Sequence, residues 1–283
     1  MSQITLGKAV SCKGVSLHSG REVGMEFRPA PENSGIVFHI HAEDGVHLLS
    51  PRPEAVSTTE LATTISDGRA SVSTIEHVLA AIGGLAVDNV EVHVFGGEVP
   101  ILDGSAREVV EALRRAGFVR QDAPRRVARI ARECRLEKDG KSIIARPFDG
   151  FHVDYTIRFP HPVIGEQRFA LDVTPESFAE QIAPARTFGF LKEVEYLHSK
   201  GLARGGSLDN VVVVGDEGVV NKEGLRFPDE FVRHKLLDFI GDMAMLGRPL
   251  LGSFTVSCSG HGHNNAFLRM VAGGEGLLEY CER

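Results

Sequence analysis

An α+β fold is predicted by three features of the 283-residue chain: short segments alternating apolar and polar residues, a few amphipathic segments carrying cap residues, and a second round of both beyond residue 126. Strand signals come first. KAVSCKGVSL (8–17), EVGMEFRPA (22–30), SGIVFHIHA (34–42) and DNVEVHVFGG (88–97) are short and bounded by turn residues, and Val90, Val92 and Val94 alternate with Glu91 and His93. Among them, SVSTIEHVLAAIGG reads as a helix with Ser73 or Thr74 as N-cap and Gly83 and Gly84 as its stop. GSAREVVEALRRAGF reads as a second, opened by Ser105 and closed at Gly117. The polar, proline-containing stretch 120–126 is the predicted linker, dividing an N-terminal domain, 1–122, from a C-terminal domain, 127–283. Beyond it come strands in KSIIARPF and FHVDYTIRF, a helix from Thr174 with Pro175 at its first position, the run VVVVG, and a long helix over about 228–246. The halves agree in element order without residue-level self-similarity.

With 31 basic against 38 acidic residues the formal charge is -7, which argues against a nucleic-acid partner held by bulk positive charge. Cys12, Cys134, Cys258 and Cys281 have no C-x-x-C spacing, so neither a thiolate metal knot nor a disulfide framework is expected and a reducing, cytoplasmic setting is. MSQITLGKAVSC lacks the layout of a signal peptide, and no window approaches the ~18 apolar residues of a membrane span, so no stable membrane insertion is expected.

The most informative segment is FPDEFVRHKLLDFIGDMAMLG. His234, Asp238 and Asp242 stand at i, i+4 and i+8, within an arc of about 80° on one helical face, with Lys235 at its border and Val232, Leu236, Phe239, Ile240 and Met243 opposite. Imidazole and carboxylate one turn apart grip one cation in many zinc and iron sites, although the same spacing also describes a solvated His–Asp ion pair. A catalytic zinc needs three protein ligands, an open position and a nearby carboxylate base. His77 supplies the third ligand and its neighbour Glu76 the base, unless the pair is an exposed Glu beside a packed His. In SCSGHGHNNAF, two glycines let a loop present His261 or His263 as a proton donor, which Asp242 would keep cationic; the alternative is a surface turn. Thr187, in RTF, offers a hydroxyl to a developing oxyanion or caps its own turn.

Together, GVSLHSG (14–20), RPAPENSGIVF (28–38), STIEHVLAA (73–81), EVPILDGSA (98–106), ARTFGF (185–190), GGSLDN (205–210), LRFPDEFVRHKLLDFIGD (225–242) and SGHGHNN (259–265) resemble the UDP-3-O-acyl-N-acetylglucosamine deacetylase family, the zinc amidases of lipid A biosynthesis. Eight motifs in order, covering essentially the whole chain, are far more specific than any one alone. The resemblance implies two α+β domains of similar β-α-α-β layering with the active site between them. It also implies a β-α-β insert over about 190–220 forming a hydrophobic acyl passage, with Leu191, Val194, Leu202 and Val212 as lining residues, part of which are core packing. It places His77, His234 and Asp238 on the metal (zinc, or ferrous iron in the cell) and Glu76 on the general base. It places His261 on the acid, Asp242 on the carboxylate orienting it, Thr187 on the oxyanion contact and Lys235 on a substrate cation. Phe159 and Phe188 match aromatics near the sugar nucleotide, and Lys141 a cation beside its diphosphate. The implied substrate is a small-molecule UDP-sugar lipid precursor, acted on by a monomer.

Two departures stand out. Cys258 takes the place of an expected lysine just upstream of SGH, which puts one diphosphate contact in doubt. Ala62 and Thr63 lie where Cys or Met is common near the passage mouth, which leaves acyl preference open. Rival readings are a deacetylase of smaller sugar amides, a non-catalytic nucleotide-sugar binder with structural zinc, and a metal-free acid–base lyase using Glu76 and His261.

Overall fold

A computed structural model describes residues 1–283 and shows a mixed α+β chain with several sheets and six α-helices. In the N-terminal half a five-stranded sheet runs in the order Val10–Val15, Glu22–Pro29, Val90–Phe95, Ile36–Ala42, Gly45–Leu49. Val90, Val92 and Val94 are fully buried on its inner face, so the two-residue period does set which side meets the core. Helices α1 (Glu76–Gly84) and α2 (Arg107–Ala116) belong to this half. The C-terminal half is built on a seven-stranded sheet whose strand Leu250–Ser257 pairs with Lys141–Arg146, Arg126–Ile130 and Phe151–Arg158. Its helices are α3 (Pro175–Gln181), α4 (Val194–Ser199), α5 (Glu230–Ala244) and α6 (His261–Gly273).

Most cap residues act as the sequence predicts. Thr174 and Ser177 form a reciprocal capping box on α3, Ser105 Oγ accepts from the Arg107 N–H at 3.1 Å, and Gly117 ends α2 at φ 72°. α1 differs. Neither Ser73 nor Thr74 caps it: the Ser73 hydroxyl bonds the Thr64 hydroxyl at 2.9 Å, while Thr74, at φ 62°, reaches Glu98. The stretch predicted as linker is strand Phe118–Pro124, paired antiparallel with Ser2–Leu6 and followed directly by Arg126–Ile130, because its alternate residues can ladder even without an apolar face. SGHGHNN is not a loop, since α6 begins at His261 itself.

The feature that positions the site is the contact of α1 with α5. One continuous apolar core runs from Val90, Val92 and Val94 through Val78, Leu79 and Ile82 of α1 to Leu236, Phe239 and Ile240 of α5, and on to Phe254 and Tyr155. The helices touch backbone to side: a Cβ on Gly241 would sit 2.0 Å from the Glu76 carbonyl oxygen. Only glycine permits that approach, and it brings the first turn of α1 against the middle of α5.

Candidate active site

α1 contributes Glu76 and His77, and α5 contributes His234, Lys235, Asp238 and Asp242; all but the half-buried Lys235 are buried. Asp238 Oδ1 lies 3.5 Å from His77 Nε2 and 3.5 Å from His234 Nε2, and the two rings meet edge to face at 5.0 Å. Ligand atoms on a tetrahedral zinc with bonds of about 2.0–2.1 Å stand about 3.4 Å apart, so the spacing suits one shared cation. The polar accounting agrees. Asp238 Oδ1 is buried with no hydrogen-bond donor, a cost that a cation would remove. His234 Nδ1–H donates to the Ala185 carbonyl at 3.1 Å, which fixes the tautomer and leaves Nε2 with its lone pair facing the cluster.

The electrostatics follow from burial. Burial pulls His234 down to about 3, so it is a neutral donor at any working pH. Burial would raise Asp238, but the Lys235 ammonium, with Nζ 2.5 Å from Oδ2, holds it well below the usual carboxylate range. Glu76 goes the other way: burial raises it, opposed chiefly by His261 and His77. Its Oε2 accepts the Thr63 backbone N–H at 2.9 Å.

His261 sits at the first position of α6 with Nδ1 donating to Asp242 Oδ2 at 2.8 Å. Burial disfavours its charged form, yet Asp242 outweighs burial and, with Asp238 and Glu76, lifts it to about 9. Asp242 is itself fixed by the Thr63 hydroxyl at 2.7 Å on Oδ1 and by Asn264 Nδ2 at 2.7 Å on Oδ2. A cluster of two histidines and an ionised aspartate, a carboxylate with raised proton affinity and an imidazolium therefore share one buried space. That set suits hydrolysis with a base on one side and an acid on the other.

Thr187 is half-buried. Its N–H donates to the Gly104 carbonyl at 2.7 Å and its carbonyl accepts from Val212 at 2.8 Å, which ties this threonine to both halves. Phe188 follows it, 6.2 Å from the His234 ring, and an aromatic chain continues to Phe231, Phe159 and Phe190. Strands Phe188–Phe190 and Val212–Val214 pair in parallel around α4, which is the β-α-β connection the resemblance implies. Its four named lining residues diverge: Leu191 is exposed, Val194 and Leu202 are half-buried, and Val212 is wholly in the core. Lys141 is exposed at the start of its strand, outside the buried cluster and near His263, and it is His261 that bonds Asp242.

Several residues at the site carry no sequence signal. Thr63 touches both Glu76 and Asp242, whereas the sequence placed it only near the mouth of the acyl passage. Arg186 and Glu230, both buried, bond through Nε and Oε1 at 2.9 Å, and Glu230 also takes the backbone N–H groups of Arg186 and Arg226. This knot locks the start of α5 to the loop carrying Ala185 and Thr187. An R-T-F followed 42 residues later by an E-F offers no hint of it.

A family profile described as LpxC, UDP-3-O-acyl N-acetylglycosamine deacetylase, matches residues 3–273. The chain belongs to that family. A UDP-3-O-acyl-N-acetylglucosamine deacetylase of Nitratidesulfovibrio vulgaris is 60% identical over 271 residues, covering 96% of this chain and 88% of the relative. Proteins of the same name from Oleidesulfovibrio alaskensis and Lawsonia intracellularis are 57% and 49% identical, covering 98% and 96% of this chain and 91% and 89% of their own lengths. No helix is long and apolar enough to cross a membrane.

Proposed function

We propose that the chain hydrolyses the acetamide of UDP-3-O-[(3R)-3-hydroxyacyl]-N-acetylglucosamine, releasing acetate and the free glucosamine amine in lipid A biosynthesis. His77, His234 and Asp238 would hold zinc. The observation that carries this reading is the orphaned Asp238 Oδ1 equidistant from two histidine nitrogens, flanked by Glu76 and His261, in a chain of a deacetylase family. Bound zinc supplies Lewis acidity towards the amide carbonyl and lowers the pKa of water.

The chain's own groups do the rest. Glu76, its proton affinity raised by burial, accepts the proton of the attacking water. The Thr187 hydroxyl donates to the carbonyl oxygen as negative charge gathers there. His261, held cationic by Asp242, gives its Nε2 proton to the departing nitrogen, which cannot leave as an amide anion. Lys235 spends one N–H on Asp238, keeping it ionised, and has two further donors for substrate.

In this reading 1–122 and 127–283 are two β-α-α-β layered domains with the reaction between them. The unit over about 190–220 borders the acyl chain, with Leu191, Val194 and Leu202 as its lining. Phe159, Phe188 and Lys141 serve the sugar nucleotide, and the enzyme is a cytoplasmic monomer.

Metal analysis paired with an acetate-release assay tests the proposal. His234→Ala should lose both the ion and activity, while Glu76→Gln should keep the ion and lose ~10²–10⁴-fold in turnover. Full activity after chelation overturns the reading. Equal rates with and without the 3-O-acyl chain would instead favour a smaller sugar amide as substrate.

A further inference from the structure

The outer face of the five-stranded sheet carries a second group of histidines and carboxylates that deacetylation does not use. His39 and His93 are register partners on the parallel strands Ile36–Ala42 and Val90–Phe95, with rings stacked at 4.3 Å. Glu91, two residues before His93, returns to the same face. Its Oε2 lies 3.2 Å from His93 Nε2 and 4.0 Å from His39 Nε2, and all three ligand atoms fall within 4.8 Å of one another. These separations bracket the ~3.4 Å between neighbouring ligands of a tetrahedral ion. His41 supplies the usual supporting contact, its Nε2 2.9 Å from His93 Nδ1, so that a proton on Nδ1 would leave His93 Nε2 free to bind. Glu26, the register partner of His93 on the other neighbouring strand, is held by Arg28 through bonds of 2.9 and 3.1 Å and stays out of the set. His39 and Glu91 keep 19% and 30% of their side-chain surface in water, which provides an entry path and room for a fourth, solvent ligand.

We propose that His39, Glu91 and His93 form a second divalent transition-metal site, of the class that takes Zn²⁺, separate from the active site and joining two strands of the sheet. Their spacing alone would also serve a His–Glu ion pair, so the decisive measurement is stoichiometry.

The full chain, stripped with chelator, is titrated with Zn²⁺ and its bound metal counted after gel filtration. Native protein should hold two ions. His39→Gln and Glu91→Gln should each hold one and keep native acetate release when loaded, because neither touches the reaction. His41→Gln should weaken the second ion about 10- to 100-fold. His234→Ala should also hold one ion, and His39→Gln combined with His234→Ala none. Circular dichroism on each variant separates loss of the ion from loss of fold. A native protein whose single ion His39→Gln retains, or a His39→Gln or Glu91→Gln variant that binds as many ions as native, overturns the second site. Loss of an ion in His234→Ala bears on the deacetylase reading and loss in His39→Gln on this one, so the two fail separately.

Discussion

Two clusters in this molecule present the same ligand set, two histidines and one carboxylate with donor atoms within 4.8 Å. His77, His234 and Asp238 come from helices of the two halves and are buried. His39, Glu91 and His93 come from adjacent strands, with His39 and Glu91 partly open to water and His93 buried beside them. Ligand type therefore does not set the inner cluster apart. What differs is the framework around it: an orphaned carboxylate oxygen, a carbonyl fixing one histidine's tautomer, and an acid and a base placed by a shared threonine. The outer cluster has one supporting histidine and no acid–base pair. A cation there has structure to hold but no proton transfers to serve.

The largest effect that would test this contrast is expected from Asp242→Asn. The amide keeps the shape but removes the charge that holds His261 protonated, so turnover should fall about 10²- to 10³-fold with metal content unchanged. The pH dependence has a definite sign. In chelator-stripped protein the His261 ring should titrate near 9 by NMR. Because its pKa is raised from 6.5, the stability it contributes is complete below about 6.5 and is lost as pH rises through about 9. A bound cation a few ångströms away lowers that value, so the alkaline limb of activity should lie below 9 and move lower still in Asp242→Asn. An unchanged limb would leave Asp242 without its positioning role.

Next in size is Gly241→Ala. The new methyl would meet the Glu76 carbonyl at 2.0 Å, and a backbone atom in a packed helix cannot step aside. α1 and α5 must separate, at a cost of about 1–3 kcal/mol by denaturant melt, and the separation carries His77 away from His234 and Asp238. Inner-site metal affinity should fall by about 100-fold, in line with displaced ligand support, while the outer ion is retained. Loss of both ions together would mean that the substitution had unfolded the N-terminal half. Glu230→Gln removes the buried charge facing Arg186, which keeps only the exposed Glu223 carboxylate at 3.0 Å and the Gly224 carbonyl, and should destabilise by about 1–3 kcal/mol.

The sequence made the helix-borne part of the site readable because 3.6-residue periodicity maps directly onto one face, so His234, Asp238 and Asp242 could be grouped without coordinates. Glu76 and His77 were legible only as a candidate base and ligand, since nothing local says that α1 will meet α5. That meeting depends on Gly241, whose function is the absence of a side chain. α6 was hidden for another reason. HGHNN is poor in helix formers, and the helix starts there because Asn264 bonds Asp242 and its N–H reaches the Gly260 carbonyl at 2.9 Å. Thr63 and the Arg186–Glu230 knot act across 179 and 44 positions, respectively, and such pairings follow no period. On the sheet, alternation put Val90, Val92 and Val94 on one face and Glu91 and His93 on the other, but it could not show that His93 would be buried there or that His39 would be its neighbour.

The smallest effects separate the two frameworks most cleanly. Thr63→Val removes the hydroxyl that donates to Asp242 Oδ1 and keeps the backbone N–H that donates to Glu76. The carboxylate is buried and loses one of its three donors, so stability should fall by about 1–3 kcal/mol, with a loss of turnover smaller than in Asp242→Asn. His39→Gln in chelator-stripped protein removes a ring from a face that water already reaches, and its stability should stay within about 0.5 kcal/mol of native. The same variant should show a smaller rise in melting temperature than native on adding Zn²⁺, and His39→Gln combined with His234→Ala none, because only an ion bound to the folded state stabilises it. If His39→Gln instead destabilised the stripped protein as much as Thr63→Val, the outer histidines would be packing residues of the sheet, and the contrast between a framework built for proton transfer and a face built for an ion would not hold.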